Sequence, residues 1–156
     1  MKKIILVYIV LVIAVILLAV VKAGGSFNFS LPFGKTSTAE VNGNKLNLIV
    51  AKSEKDRQKG LSGRKSLNQN QGMIFIFDHK DSYGFWMKDM LFPIDIIFID
   101  DETVVYVVKK APSSAQVPNL IIYKPDEPVN RVLEINAGLA DKFKIEKGTK
   151  IKFKDL

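Results

Sequence analysis

Five side chains carry most of the chemistry this sequence could do: Arg64, Trp86, Lys88, Asp95 and Glu134. Trp86-Met87-Lys88 sets an aromatic ring beside a flexible thioether and a cation, just ahead of a turn at Pro93. Such a trio can form a platform for a ligand, and it suits core packing as well. Asp95 interrupts the apolar run Ile94 to Ile99, where burying a carboxylate without a partner is costly. Three explanations are open at this level. Strand alternation could turn Asp95 outward with Ile97, or an ion pair with Lys88 or Arg64 could neutralise it. Alternatively, Asp95, Glu134, Arg64 and Lys88 converge beside Trp86 on a polar ligand. The planar guanidinium would then take a carboxylate or phosphate, and the acids would take hydroxyls or amines.

Other chemistries find less support. Asp95 and Glu134 could act as an acid–base pair, although their spacing in sequence says nothing of their separation in space. Ser62 and Ser66 lack a His-Asp context, and Gly60-Leu61-Ser62-Gly63 is not a nucleophile elbow. The chain has no cysteine, which removes disulfides, thiolate metal sites and cysteine nucleophiles. His79 is the only histidine, and Asp78-His79-Lys80-Asp81 places a cation among the oxygens that a calcium loop would need. Met73, Met87 and Met90 are a soft-ligand set suited to monovalent copper, but they read more simply as core. No catalytic residue, metal ligand or cofactor is therefore assigned, and a non-enzymatic role is the expectation.

The elements that must position these residues are mostly strands. Asn42-Gly43-Asn44 is a hairpin turn signal, followed by Leu46, Leu48 and Val50 at strand spacing. Ser53, with Glu54 and Asp56 behind it and Gly60 at the far end, frames one short helix. Met73–Phe77, Ile94–Ile99 and Thr103–Val108 read as strands, the last two joined by a tight turn at Asp100-Asp101-Glu102. Val132–Ile135 and Lys150–Phe153 close the fold, and the alternating lysines of the latter suit the solvated face of an edge strand. Many short strands with one helix, and no strand-helix-strand alternation, predict a mainly β domain: an antiparallel β-sandwich or barrel.

Several of these segments together resemble the family of small bacterial and archaeal domains known as domain of unknown function 192. The matching words are Gly60-Leu61 with Arg64, Gly72-Met73-Ile74-Phe75-Ile76-Phe77, Phe85-Trp86-Met87-Lys88 and Pro93-Ile94-Asp95-Ile96-Ile97-Phe98-Ile99-Asp100. Pro112, Val132-Leu133-Glu134 and Gly138 continue them, so the resemblance spans about 46–153. It implies a β-sandwich-like fold, often behind a signal or anchor, and brings no agreed activity. Two departures stand out: Ser62 where members often have methionine, and Asp89-Met90 where they often have Asn-Thr.

Ahead of the domain, Ile4 to Val21 is an unbroken apolar run whose helix would span roughly 27 Å, close to the hydrocarbon thickness of a bilayer. The expected organisation is a signal anchor or transmembrane helix over 1–23, a Gly/Ser/Pro-rich tether over 24–39 and the β domain over 40–156. The chain's membrane partner is then the bilayer itself, crossed by Ile4 to Val21. Lys2 and Lys3 favour a cytoplasmic N-terminus and a domain outside the cytoplasm. Cleavage before Gly24 would leave the domain secreted instead. Nineteen of the 23 bases and all 16 acids lie from Glu40 onward, a surplus of three with the signs interleaved, so no nucleic-acid partner is expected. The sequence thus points to a membrane-tethered binding domain for a small polar ligand, a glycan or a protein partner. An extracytoplasmic enzyme using a carboxylate pair and a structural domain without a ligand are the alternatives.

Overall fold

The computed structural model describes residues 36–116 and 121–156. The expected anchor and most of the tether lie outside the described residues. No helix among the described residues is long and apolar enough to cross a membrane.

Among the described residues nine strands form in chain order: β1 Thr38–Val41, β2 Asn44–Ala51, β3 Gln71–Asp81, β4 Phe85–Trp86, β5 Ile94–Asp100, β6 Thr103–Ala111, β7 Ile122–Tyr123, β8 Val129–Asn136 and β9 Lys152–Lys154. Seven make one sheet in the order β6-β5-β8-β3-β2-β1-β9, while β4 and β7 form a separate two-stranded ribbon. The large sheet curls into a half-barrel, bringing its two ends together: Val104 N–H donates to Thr149 O at 2.9 Å and Ile151 N–H to Glu102 O at 2.9 Å. Among the described residues two short helices complete the fold, α1 Glu54–Lys59 and α2 Leu139–Lys142, with a 3₁₀ turn at Ser114–Gln116.

The local signals that fixed these elements are visible in their geometry. Asn42 and Gly43 both take positive φ (47° and 76°), as a two-residue hairpin turn requires, and Val41 pairs with Asn44 across it. Ser53 accepts from Asp56 N–H at 3.1 Å to cap α1, and Gly60 ends it at φ 49° and ψ −138°. Asp100 pairs with Thr103 around the expected polar turn. Lys152 and Lys154 face solvent on β9, which is an end strand of the sheet.

Three expectations are corrected. The large sheet is mixed rather than antiparallel, because β2 and β3 run parallel. The stretch from 52 to 70 that joins them contains α1 and so forms a β-α-β crossover, the alternation the sequence did not reveal. Six helical residues followed by an irregular loop are too few to display a helical period. A second helix, α2, follows Gly138; at four residues it leaves no readable pattern either. Finally, β1 begins at Thr38, inside the 24–39 stretch assigned to the tether, and buries Ala39 completely.

Alternation along the strands builds two apolar layers, one on each face of the sheet. One contains Leu46, Ile74, Ile97, Leu133, Ile135 and Ile151, packed with α2. The other contains Met73, Phe75, Ile96, Phe98, Met87 and Met90, and it is the layer beneath α1 and the β4 ribbon. Asp95 and Glu134 are the two acids buried in this framework.

Candidate functional site

Glu134 sits on β8 between Leu133 and Ile135 and opposite Ile96 of β5, so its side chain points into the layer that holds Met73 and Phe75. It is 5% exposed, and Oε2 has no hydrogen-bond partner among the described residues. Burial in this apolar layer pushes the carboxyl up to about 8, so at neutral pH it is an uncharged acid with a proton to donate.

Above Glu134 lies an open cavity of about 280 Å³, with Glu134 as one of its lining residues. Phe75 and Phe77 of β3 and Phe85 and Trp86 of β4 supply aromatic walls, joined by Tyr83. The rings brace one another. Phe75 and Phe85 meet edge to face at 4.9 Å, Phe85 meets Phe98 at 5.8 Å, and Tyr83 stacks on Phe77. Along the rim, α1 contributes Glu54, Arg57, Gln58 and Lys59. Arg57 lies over the face of Phe77, 5.1 Å from the ring centroid, and its Nη1 donates to Ile76 O at 3.0 Å and to Lys52 O.

The remaining lip comes from two interlocked loops. Ser62 Oγ donates to Lys88 O at 3.0 Å, and Gly63 N–H donates to Asp89 O at 2.9 Å. Ser62 and Met90, which lie at the two departures from the family words, both line the cavity. Two stretches quoted separately from the sequence are thus parts of one rim.

Of the five residues singled out by sequence, Trp86 and Glu134 line the cavity. Trp86 is half exposed, paired with Ile122 across the ribbon, while its neighbour Met87 is buried. Arg64 and Lys88 are exposed and are not among the lining residues. Asp95 is fully buried on the opposite face of the sheet, with Ile97 and Ile135. Its two oxygens accept from backbone amides, Oδ1 from Lys110 at 2.7 Å and Oδ2 from Ala140 at 2.8 Å. The register between β5 and β6 shifts at this point, and Lys110 has φ 55°. Asp95 therefore takes an amide freed by a β-bulge and ties it to the first turn of α2. None of the three explanations offered for Asp95 describes this role.

Because Asp95 and Glu134 face opposite ways from adjacent strands, they do not converge on one substrate. Among the described residues, no group of three histidine, cysteine, aspartate or glutamate side chains could hold a metal. Sequence reading passed over Arg57, Phe75, Phe77, Tyr83 and Phe85 as site residues. The only signal for the four rings was aromatic density over 75–86, and Arg57 had none.

These features define a small, mainly β domain whose single curled sheet carries an aromatic cavity at the β-α-β crossover. The family model for domain of unknown function 192, described as uncharacterised, matches residues 37–153, and the chain belongs to that family. Among solved structures it is similar to a protein of unknown function from Novosphingobium aromaticivorans DSM 12444. The two share 30% identity and a TM-score of 0.67 over 75% of this chain and 83% of that one. It is also similar to a candidate transcription regulator from Sinorhizobium meliloti 1021, at 25% identity and a TM-score of 0.67 over 80% of this chain and 97% of that one. No curated protein matches the chain.

Proposed function

We propose that this is a non-enzymatic binding domain, held at the outer face of a membrane by Ile4 to Val21. Its aromatic cavity takes a small molecule, a sugar unit of a glycan or one side chain of a protein partner. The observation that carries the reading is the unpartnered carboxyl of Glu134 beneath a wall of aromatic rings. A buried polar atom without a partner costs free energy, and a ligand that reached it would recover that cost as affinity. The cavity's 280 Å³ is near the lower end of small-molecule sites, so the ligand, or the part of it inserted, is small.

Neighbouring features agree with this reading. The rim is polar on the α1 side and the walls are apolar, the usual division between groups that orient a ligand and surface that holds it. The regulator description belongs to the Sinorhizobium protein. Here the small, interleaved charge surplus of the domain gives a nucleic-acid surface no support.

Trp86 is the only tryptophan in the chain and lines the cavity, so its emission reports occupancy directly. The test is a panel of small amines, carboxylates, polyols and sugars, read by Trp86 fluorescence and thermal shift on the full chain. A compound that moves both in the wild type and neither in a cavity-filling Ser62→Phe variant supports the reading. Silence across the panel, or equal responses in both proteins, overturns it.

A further inference from the structure

Resting on the binding reading above, we propose that the ligand is a small zwitterion. Its ammonium or methylated ammonium lies among the aromatic rings over Glu134, and its anionic end lies on Arg57 and Lys59 at the rim.

The argument begins at the floor. A carboxyl in an apolar layer can be satisfied by a hydroxyl, by a carbonyl or by a cation. Only a cation also draws on the five aromatic rings that line the wall, since aromatic rings attract positive charge and most strongly where water is excluded. These rings already receive a cation: the Arg57 guanidinium lies over Phe77. Four further aromatic side chains line the cavity, Phe75, Tyr83, Phe85 and Trp86, of which Trp86 is the best receptor for a cation.

The rim explains the other end. Arg57 and Lys59 would repel a simple cation from the mouth, with only Glu54 to oppose them. Neither base forms an ion pair with a described residue. A ligand whose anionic group remains at the rim turns that repulsion into attraction while its cationic end reaches the floor. Acid below and bases above thus set one orientation.

Proton linkage follows. The titratable and charged groups sharing the cavity with Glu134 are Glu54, Arg57 and Lys59 from α1 and Tyr83 ahead of β4. The strands packed against Glu134 present Met73 and Ile96 beside it. Glu134 is protonated below about 8, so a cation must displace that proton to form its ion pair. Affinity should rise about tenfold per pH unit as pH approaches 8 and then level off.

Three isosteric probes separate the parts: glycine betaine, choline and 3,3-dimethylbutanoate, which replaces betaine's charged nitrogen with carbon. Each is titrated into the full chain between pH 6 and 9, followed by Trp86 emission and calorimetry. The expected order of affinity is betaine, choline, dimethylbutanoate, with betaine gaining about fiftyfold from pH 6 to 8. Glu134→Gln should flatten that profile, and Arg57→Met should weaken betaine at least several-fold while sparing choline. Tighter binding of dimethylbutanoate than betaine, or a betaine affinity independent of pH, overturns the zwitterion. If none of the three binds while other panel compounds still move Trp86 in a Ser62-dependent way, the zwitterion fails and the binding reading stands. If nothing binds at all, both fail.

Discussion

At the scale of single residues, two buried acids that look alike in sequence do opposite things. Both interrupt apolar strands, and the sequence marked Asp95 as the one needing an explanation. Asp95 instead has both oxygens bonded to backbone amides. Asp95→Ala would leave those two amides buried and unpaired, and should cost about 3 kcal/mol or more in a denaturant titration. It should leave ligand response at Trp86 unchanged in protein that remains folded. Glu134 behaves otherwise. Its carboxyl is held up to about 8 against an ordinary value of 4.5, so between these pH values the unfolded chain has lost a proton that the folded chain keeps. The contribution of this carboxyl to stability should therefore fall by up to about 1.4 kcal/mol per pH unit from 4.5 to 8 and be flat outside that window. Glu134→Leu should remove this slope in melts across pH and be more stable than the wild type at pH 8. A slope that persists in the variant would place its origin elsewhere. The distinction between the two acids was not legible beforehand, since a bulge in β6 and the start of α2 supply the partners of Asp95, and neither lies near it in sequence.

At the scale of elements, most of the strands and the first helix were legible because their signals are local. Asn42-Gly43 dictates a turn, Ser53 dictates a cap, and Asp100-Asp101-Glu102 closes a hairpin. The pairing of β2 with β3 was not, because the helix between them was expected but nothing local marks the two strands as parallel partners. That crossover matters most to the candidate site, since α1 supplies the rim and β3 two of the walls. Gly60 is its pivot, at φ 49° with Phe75 Cζ only 3.4 Å from where a Cβ would stand. Gly60→Ala should cost about 1–3 kcal/mol, because that backbone conformation is nearly closed to other residues. It should also crowd the Phe75 wall and shift Trp86 emission without any ligand. Unchanged stability would mean that the turn relaxes elsewhere.

At the scale of the whole molecule, the curled sheet leaves two end strands, β6 and β9, whose outer edges meet only where residues 148–151 bond to 102–104. Lys152 and Lys154 guard the remainder of the β9 edge with exposed charge. Replacing both with valine should leave the melting temperature within a few degrees while raising light scattering at high concentration. A double variant that stays monomeric would assign protection of that edge to the contacts at 148–151 instead.

The placement of β9 has one more consequence, which concerns time. Its partner is β1, so Thr38 of the first described strand pairs with Lys154 of the last. β1 leaves the ribosome long before β9 is made, and its outer row of amides and carbonyls stays unmatched until then. A sheet whose beginning waits for its end has a high contact order and assembles slowly. The domain therefore finishes folding only once β9 has been made, and the chain stays extensible until then.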